Sequence, residues 1–317
     1  MVSVRFAIPK GSIEEPTFRF IEQAWPSVRG NRRTYRVTVD DQDVQMKLLR
    51  PQEIPTYVHE GFYDVGITGK DWIRETSADV KTLLDLEYGW VRLMIAAPKS
   101  APYNSLSEMI REFASSGKTL RISSEYLTIS SEHVKQNSEY KKHFGDADPM
   151  VITPWWRIGK NEKVQILLSF GATEAKPPED TDAIIDITET GRTLDQNNLR
   201  PIETIMESTA VFVANKESLK DEKKRAKIYD ILALLKGVVD GRKKFHIFVN
   251  VRKENLNQLL ESLPALKRPT ISPLSEEGWY GVNTVISKEE FVKIIPVLRN
   301  LAQGLVVHEP RQILPLE

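Results

Sequence analysis

Three observations predict an α/β fold of two lobes with a smaller C-terminal module. Short apolar runs of strand character alternate with helical patterns from the start of the chain. After a second set of such alternations, a strand-like run over 205–214 offers a way back to the first lobe. The tail from 221 onward carries a long amphipathic helix and then the order strand, helix, strand, strand, helix, strand. Alternation of the first kind favours a mainly parallel sheet with helices on both faces. The last order is that of a ferredoxin-like unit.

The first strand is 4–8, VRFAI, broken by Pro9-Lys10-Gly11-Ser12. A helix over 14–25 follows, with Phe18, Ile21 and Trp25 on one face. Residues 35–39 and 45–49 read as strands, 51–60 as a short helix stopped by Gly61, and 64–68 as another strand. A buried strand at 91–97 leads through 98–102 into the second lobe. There Ser105 and Glu108 make a capping-box pattern ahead of a helix through Phe113. A strand at 120–123, one helix over 131–142, and strands at 164–168 and 182–187 complete that lobe. In the tail, a helix over 221–239 sets Ile228, Ile231, Leu232 and Leu235 on one face. Strands at 245–251, 270–274, 279–286 and 304–308 follow, with helices over 254–262 and after Ser287 and Glu290. The boundaries are then 1–97 with 195–220 for the first lobe, 98–194 for the second, and 221–317 for the C-terminal module. Two crossings between two lobes leave a cleft, and open α/β sheets bind ligands at the carboxyl ends of their strands.

Composition narrows the function classes. Hydrophobic residues make up 40% of the 317 and charged residues 28%, which is ordinary for a globular chain. The 44 basic and 44 acidic residues cancel, so no general field draws the chain to nucleic acid or an anionic membrane. Any anion must be met by a local site. There is no cysteine, which removes disulfides, thiolate metal sites and cysteine nucleophiles together. Met1 runs straight into a strand, and no apolar run reaches the length of a membrane span, so a soluble, unexported protein is expected. The five histidines show no metal-ligand spacing, and no metal site is expected from them.

The most informative segment is Asp186-Ile-Thr188-Glu189-Thr190-Gly191-Arg192-Thr193-Leu194, which closes a buried strand. Gly191 permits a tight turn in which successive N–H groups and threonine hydroxyls face one concavity, as a phosphate requires. Asp186 stands where it can accept hydrogen bonds from ribose hydroxyls. By pattern alone the same residues also fit an ordinary polar turn. Lys10-Gly11 and Arg50-Pro51 repeat the strand-to-helix arrangement, where free N–H groups favour anions, and Gly66-Ile-Thr-Gly-Lys-Asp71 does so again. Four such loops together point to a cleft for a polyphosphorylated ligand. Trp155-Trp156-Arg157 offers stacking on a base or plain packing. The competing reading is a non-catalytic, two-lobed ligand sensor.

IPKG (8–11), LLRPQEIPTYVHEG (48–61), DVGITGKDW (64–72), FGATEAK (170–176) and DITETGRTL (186–194) resemble the ATP phosphoribosyltransferase family. LPALKRPTISPLSEEGW (263–279) is similar to the tail of its long form. The resemblance implies two lobes like those of type II periplasmic binding proteins and an ACT-like regulatory domain. It implies transfer of phosphoribosyl from PRPP to N1 of ATP, giving phosphoribosyl-ATP and pyrophosphate, the first step of histidine biosynthesis. Mg²⁺, feedback inhibition by histidine, a homo-oligomer (dimer or hexamer) and a cytoplasmic location come with it. Carried over, Asp186, Thr188, Glu189, Thr190, Gly191, Arg192, Thr193 and Leu194 hold the ribose and 5′-phosphate of PRPP. Lys10 and Arg50 lie near the polyphosphates, and Asn250, Leu266, Thr270 and Val285 hold histidine. Ser12 departs from the pattern, since relatives often carry Arg there. Pyrophosphate is a good leaving group once neutralised, so catalysis rests on positioning and electrostatics, and no residue is singled out as a base.

Overall fold

The computed structural model describes residues 3–31, 35–263 and 269–314. The chain divides into two compact units. One comprises Arg5–Glu14 and Met46–Asp221, and the other is built chiefly from Glu15–Gln45 and the chain from Glu222 onward.

The larger unit rests on two sheets. In the first, strands Val44–Leu49, Val4–Pro9, Val65–Gly69, Ala210–Ala214 and Lys81–Asp85 lie side by side in that order. Val4–Pro9 and Val65–Gly69 run parallel, with Phe6 opposite Val65. Val65–Gly69 and Ala210–Ala214 are buried at every position, as strands covered on both faces must be, and so they read as unbroken apolar runs. The second sheet runs Arg157–Ile158, Pro149–Ile152, Asn161–Leu168, Leu120–Ser124, Ala183–Thr188, Val91–Pro98, Leu199–Ser208. Its centre is parallel, and Ile95, Ile122, Val164 and Ile185 pack there against Leu106, Ile110, Ile129 and Tyr140 from the covering helices.

Three expectations about this unit change. The run 205–214 is two strands: Leu199–Ser208 belongs to the second sheet and Ala210–Ala214 to the first. No glycine or proline marks the change, which falls at the polar residues Glu207, Ser208 and Thr209 between two short apolar runs. Leu199–Ser208 pairs antiparallel with Val91–Pro98, from Leu199 opposite Pro98 to Ser208 opposite Val91. The chain therefore passes between sheets after Asp85 and at Thr209, rather than near 98 and 195; nothing in a strand's own composition says which sheet it joins. Finally, the helix expected over 131–142 is two helices, Leu127–Gln136 and Ser138–Phe144. Asn137 divides them by taking an extended backbone and capping the second, its Oδ1 accepting from the N–H groups of Glu139 and Tyr140.

In the smaller unit the tail is the ferredoxin-like module that its order predicts. Thr270–Pro273, Trp279–Ser287, Lys244–Arg252 and Ala302–His308 are neighbours in that sequence, all antiparallel. Helices Lys253–Ser262 and Lys288–Leu301 cover one face, closing a core of Ile247, Val249, Val251, Leu259, Val282, Ile286, Ile294 and Leu298. The capping box of Ser287 and Glu290 is present. Ahead of the module, helix Glu222–Arg242 buries Ile228, Ile231 and Leu235.

The end of helix Glu14–Ala24 is tied to this tail. Arg311 Nε donates to the Gln23 carbonyl at 2.9 Å, and its guanidinium also reaches the Glu22 and Trp25 carbonyls. Arg242 Nε donates to Gln23 Oε1 at 2.9 Å. A helix leaves its last carbonyls unpaired, and a guanidinium fork suits them. Among the described residues no helix is long and apolar enough to cross a membrane.

Candidate active site

A cavity of about 450 Å³ opens in the larger unit where strands of both sheets end. Asp186, Thr188, Glu189, Thr190, Thr193 and Leu194 form one wall. Gly191 takes a left-handed φ of +77°, and this turns the chain back from strand Ala183–Thr188 into helix Arg192–Gln196. The turn is locked from within, because Gly191 N–H donates to Thr188 Oγ1 at 2.8 Å. Gly191 and Arg192 belong to this turn without lining the cavity. A Cβ on Gly191 would meet no atom within 4 Å, so the position tolerates bulk but not the φ of an ordinary residue.

Asp186 has the most perturbed acid of the wall. Burial pushes its carboxyl up from 3.8 to about 6. Hydrogen bonds from Ile187 N–H, at 2.7 Å, and from the Thr173 hydroxyl pull it down, while the charges of Glu125 and Glu174 push it up. Glu125, Glu174 and Gly171 share the cavity, and Trp72 and Tyr126 give it an aromatic side. Those two rings stack at 4.4 Å. Tyr126 is fixed further by donating its hydroxyl to Asp71 Oδ2 at 2.6 Å, and Ser208 donates to Asp71 Oδ1 at 2.6 Å. Burial and then the Asp71 carboxylate drive the Tyr126 hydroxyl strongly upward, so it stays a donor.

The strand-end loops 9–12 and 50–53 meet on the opposite side. Ser12, Pro51 and Gln52 line the cavity there. Lys10 N–H donates to the Leu49 carbonyl at 2.7 Å, and an Arg50 guanidinium nitrogen stands 3.5 Å from where a Gly11 Cβ would be. Lys10 and Arg50 therefore belong to neighbouring loops beside the cavity and are not on its wall. Gln52 Oε1 is buried with no hydrogen-bond partner, an arrangement that a bound donor would relieve. In the fourth loop Lys70 pairs with Asp85 at 2.6 Å, away from the cavity wall, and Thr68 Oγ1 holds the Pro51 carbonyl at 2.9 Å.

No group of three or more acidic or histidine residues suited to a metal occurs among the described residues. A divalent cation held by one or two carboxylates and by substrate phosphates fits this wall better than a resident metal does. Trp155 is 71% exposed and contacts Phe170 edge-on at 5.8 Å, outside the cavity lining.

In the smaller unit, Asn250, Thr270 and Val285 fall on the sheet face opposite the helices. Asn250 and Thr270 are exposed and Val285 is half-buried, while their strand neighbours Val249, Val251, Thr284 and Ile286 are buried beneath. Asn250 stands opposite Gly281, Thr270 opposite Asn283 and Val285 opposite His246. Leu266 lies outside the described residues.

The model of the family described as ATP phosphoribosyltransferase matches residues 50–237, and that of the HisG C-terminal domain matches 241–309. The chain belongs to the ATP phosphoribosyltransferase family. A protein named ATP phosphoribosyltransferase from Thermodesulfovibrio yellowstonii is 34% identical over 98% of both chains. One of the same name from Pelotomaculum thermopropionicum is 36% identical over 98% of both. Among solved structures, the ATP phosphoribosyl transferase (HisG:HisZ) complex from Thermotoga maritima aligns with a TM-score of 0.56. That alignment covers 75% of this chain and 98% of that one at 24% identity, and it supports the fold. Membership makes the chain a transferase of the histidine pathway, and the sensor reading is not favoured.

Several wall residues escaped the sequence reading. Trp72 and Glu174 sit inside the family motifs 64–72 and 170–176 without having been given a role. Glu125 and Tyr126 follow strand Leu120–Ser124, and their place at a strand's carboxyl end was the available signal.

Proposed function

We propose that the cavity binds PRPP along its Asp186–Leu194 wall and transfers the phosphoribosyl group to N1 of ATP, releasing pyrophosphate. The carrying observation is the coincidence of three threonine hydroxyls, a left-handed glycine turn and a half-buried carboxylate at one strand end. Thr188, Thr190 and Thr193 supply donors to the 5′-phosphate, and Asp186 accepts from the ribose hydroxyls. Gly191 and Arg192 shape and charge the turn from behind. Lys10 and Arg50 act from the side, drawing the polyphosphates of ATP and the leaving pyrophosphate toward Ser12 and Gln52. Without net charge on the chain, that local pair must provide the attraction.

The bond from the anomeric carbon to pyrophosphate breaks as N1 of ATP forms its bond from the opposite face. N1 carries no proton to remove, so the residues need only align the two partners and stabilise developing charge. Mg²⁺, when bound with the phosphates, supplies charge neutralisation, and Asp186 and Glu189 are the carboxylates placed to share it. Ser12 in place of a frequent Arg leaves Arg50 as the main guanidinium near the 9–12 loop.

Histidine regulates the enzyme from the C-terminal module, on the open face that carries Asn250, Thr270 and Val285, with Leu266, outside the described residues, as the fourth contact. Pairing of such faces between copies gives a homo-oligomer of closed symmetry, dimer or hexamer, working in the cytoplasm. Calorimetry with PRPP tests the wall. Gly191→Val forces a branched residue into a left-handed turn and is expected to weaken PRPP binding more than tenfold, about 1.4 kcal/mol, in a folded protein. Unchanged affinity would remove the loop from the site.

A further inference from the structure

The loop Gly66–Asp71 has the composition of a phosphate loop, but the donors such a loop would offer are already taken. Helix Lys70–Thr76 starts there. Lys70 N–H donates to the Thr209 carbonyl at 3.2 Å, and Asp71 N–H donates to Ser208 Oγ at 3.1 Å. An anion at a helix start needs those groups free. What the loop holds instead is the Asp71 side chain, buried at 4% exposure. Its carboxylate accepts one hydroxyl on each oxygen, Ser208 on Oδ1 and Tyr126 on Oδ2, both at 2.6 Å. Hydroxyl bonds to an ionised acceptor are short and about twice as strong as neutral ones.

Gly69 makes room for this carboxylate. Its φ of −81° suits any residue, but a Cβ there would stand 2.0 Å from Asp71 Oδ1. Space, not backbone conformation, explains the glycine. The same helix holds the surroundings of Tyr126 as well. Trp72 stacks on the Tyr126 ring at 4.4 Å. Glu75 accepts from the N–H groups of Thr128 at 2.9 Å and Ile129 at 3.0 Å, where helix Leu127–Gln136 begins without a side-chain cap of its own. Ends of strands from both sheets meet at Asp71: its helix follows Val65–Gly69 of the first, while Ser208 closes Leu199–Ser208 and Tyr126 follows Leu120–Ser124 of the second.

We propose that Asp71 is a positioning residue: by pinning Tyr126, with Trp72 stacked on it, Asp71 sets the aromatic side of the cavity against the Asp186–Leu194 wall, and Gly69 is there to admit it. This rests on the reading of the cavity as the site of phosphoribosyl transfer. Trp72 and Tyr126 line the cavity and Asp71 does not, so its influence passes through them. Two reactants held in one site lose rate steeply when either is misplaced by about 1 Å. A loosened Tyr126 therefore costs turnover more than it costs the affinity for PRPP, which the other wall holds.

Kinetics on the full-length protein test the role. Asp71→Ala is expected to lower kcat at least tenfold, while the calorimetric affinity for PRPP changes less than threefold. Asp71→Asn keeps an acceptor for Tyr126 and gains a donor for Ser208, so it should recover most of the lost rate. A folded Asp71→Asn as slow as Asp71→Ala would mean that the charge itself is used, and would overturn a positioning role. Gly69→Ala pushes the carboxylate off its hydroxyls and should reproduce the loss, yet add less than twofold to Asp71→Ala, where the clash is gone. A full multiplicative loss in that background gives Gly69 a duty of its own and overturns the proposal. If Asp71→Ala does not fold, Gly69→Ala and Tyr126→Phe must each show the same split between kcat and PRPP affinity. Hydrogen exchange in substrate-free protein separates the contact from the reading of the cavity. Asp71→Ala and Gly69→Ala should speed exchange at the Tyr126–Ser130 amides severalfold, and Asp71→Asn should not. Unchanged exchange overturns the proposal whatever the kinetics, and faster exchange with wild-type kcat overturns it too, leaving a purely structural contact. Should wild-type protein fail to bind PRPP, the cavity reading fails, while the exchange rates still decide whether Asp71 holds Tyr126.

Discussion

In the larger unit, polar groups gather where parallel strands end, walled by rings and by strands buried on both faces. In the C-terminal sheet they sit in the middle of an open face, next to large apolar side chains. Phe248 is 39% exposed there and Val306, its cross-strand partner, 52%. The first arrangement completes a cavity from one chain. The second leaves a surface that a ligand or a second copy has to finish. Both regions are α/β, yet what they can bind follows from strand direction. Parallel strands put all their carboxyl ends, and the loops after them, on one side, whereas antiparallel neighbours scatter theirs.

The sharpest way to break this comparison is to remove the half-buried charge of the cavity wall, Asp186. Asp186→Asn is expected to lower kcat/KM for PRPP by at least a hundredfold, measured by pyrophosphate release. The same change should stabilise the fold. A carboxyl raised from 3.8 to about 6 binds its proton more tightly when folded, so its ionised form costs stability above about 6. The gap between variant and wild type should be about 1–2 kcal/mol there, allowing for partial exposure, and should close as pH falls below the unfolded value. Chemical denaturation across pH reads it, and a variant less stable at alkaline pH would contradict a strained carboxylate.

Arg50→Ala comes next. It should raise KM for PRPP or ATP, or lower kcat, by at least tenfold, because it is a cation beside the part of the cavity lined by Ser12 and Gln52. Wild-type kinetics would remove it from the site.

Effects in the C-terminal sheet should be confined to regulation. Thr270→Ala is expected to raise the histidine concentration for half inhibition severalfold, within the usual 1–3 kcal/mol of coupling, with kcat unchanged in its absence. Removing everything from Arg242 onward would do more than delete the C-terminal module. Arg242, Arg311 and Gln312 all bond the end of helix Glu14–Ala24, so truncation would uncap it. The smallest effect is expected from Arg311→Ala, which frees those carbonyls while leaving the open sheet face of Asn250 and Thr270 intact. Inhibition should weaken by about two- to fivefold if the cap helps couple module to helix. Inhibition curves that superimpose would confine Arg311 to stability.

The order of strands and helices in the tail was legible in the sequence partly because its last helix opens on its own capping box, Ser287 with Glu290. The Asp186–Leu194 loop was legible for a different reason: its threonines and glycine are contiguous. What escaped was assembled from far apart. Trp72, Glu125, Tyr126 and Glu174 come from four segments and meet only in the fold. The passage at Thr209 escaped because an apolar strand looks the same in either sheet.

Hydrogen–deuterium exchange on the full-length protein tests the division of labour most directly. PRPP should slow exchange over the Asp186–Leu194 turn and the loops around Lys10 and Arg50, leaving strands Lys244–Arg252 and Trp279–Ser287 as they were. Histidine alone should protect those two strands first and most. Protection by histidine concentrated in the Asp186–Leu194 turn, with the C-terminal strands unaffected, would place the inhibitor in the cleft and contradict the account.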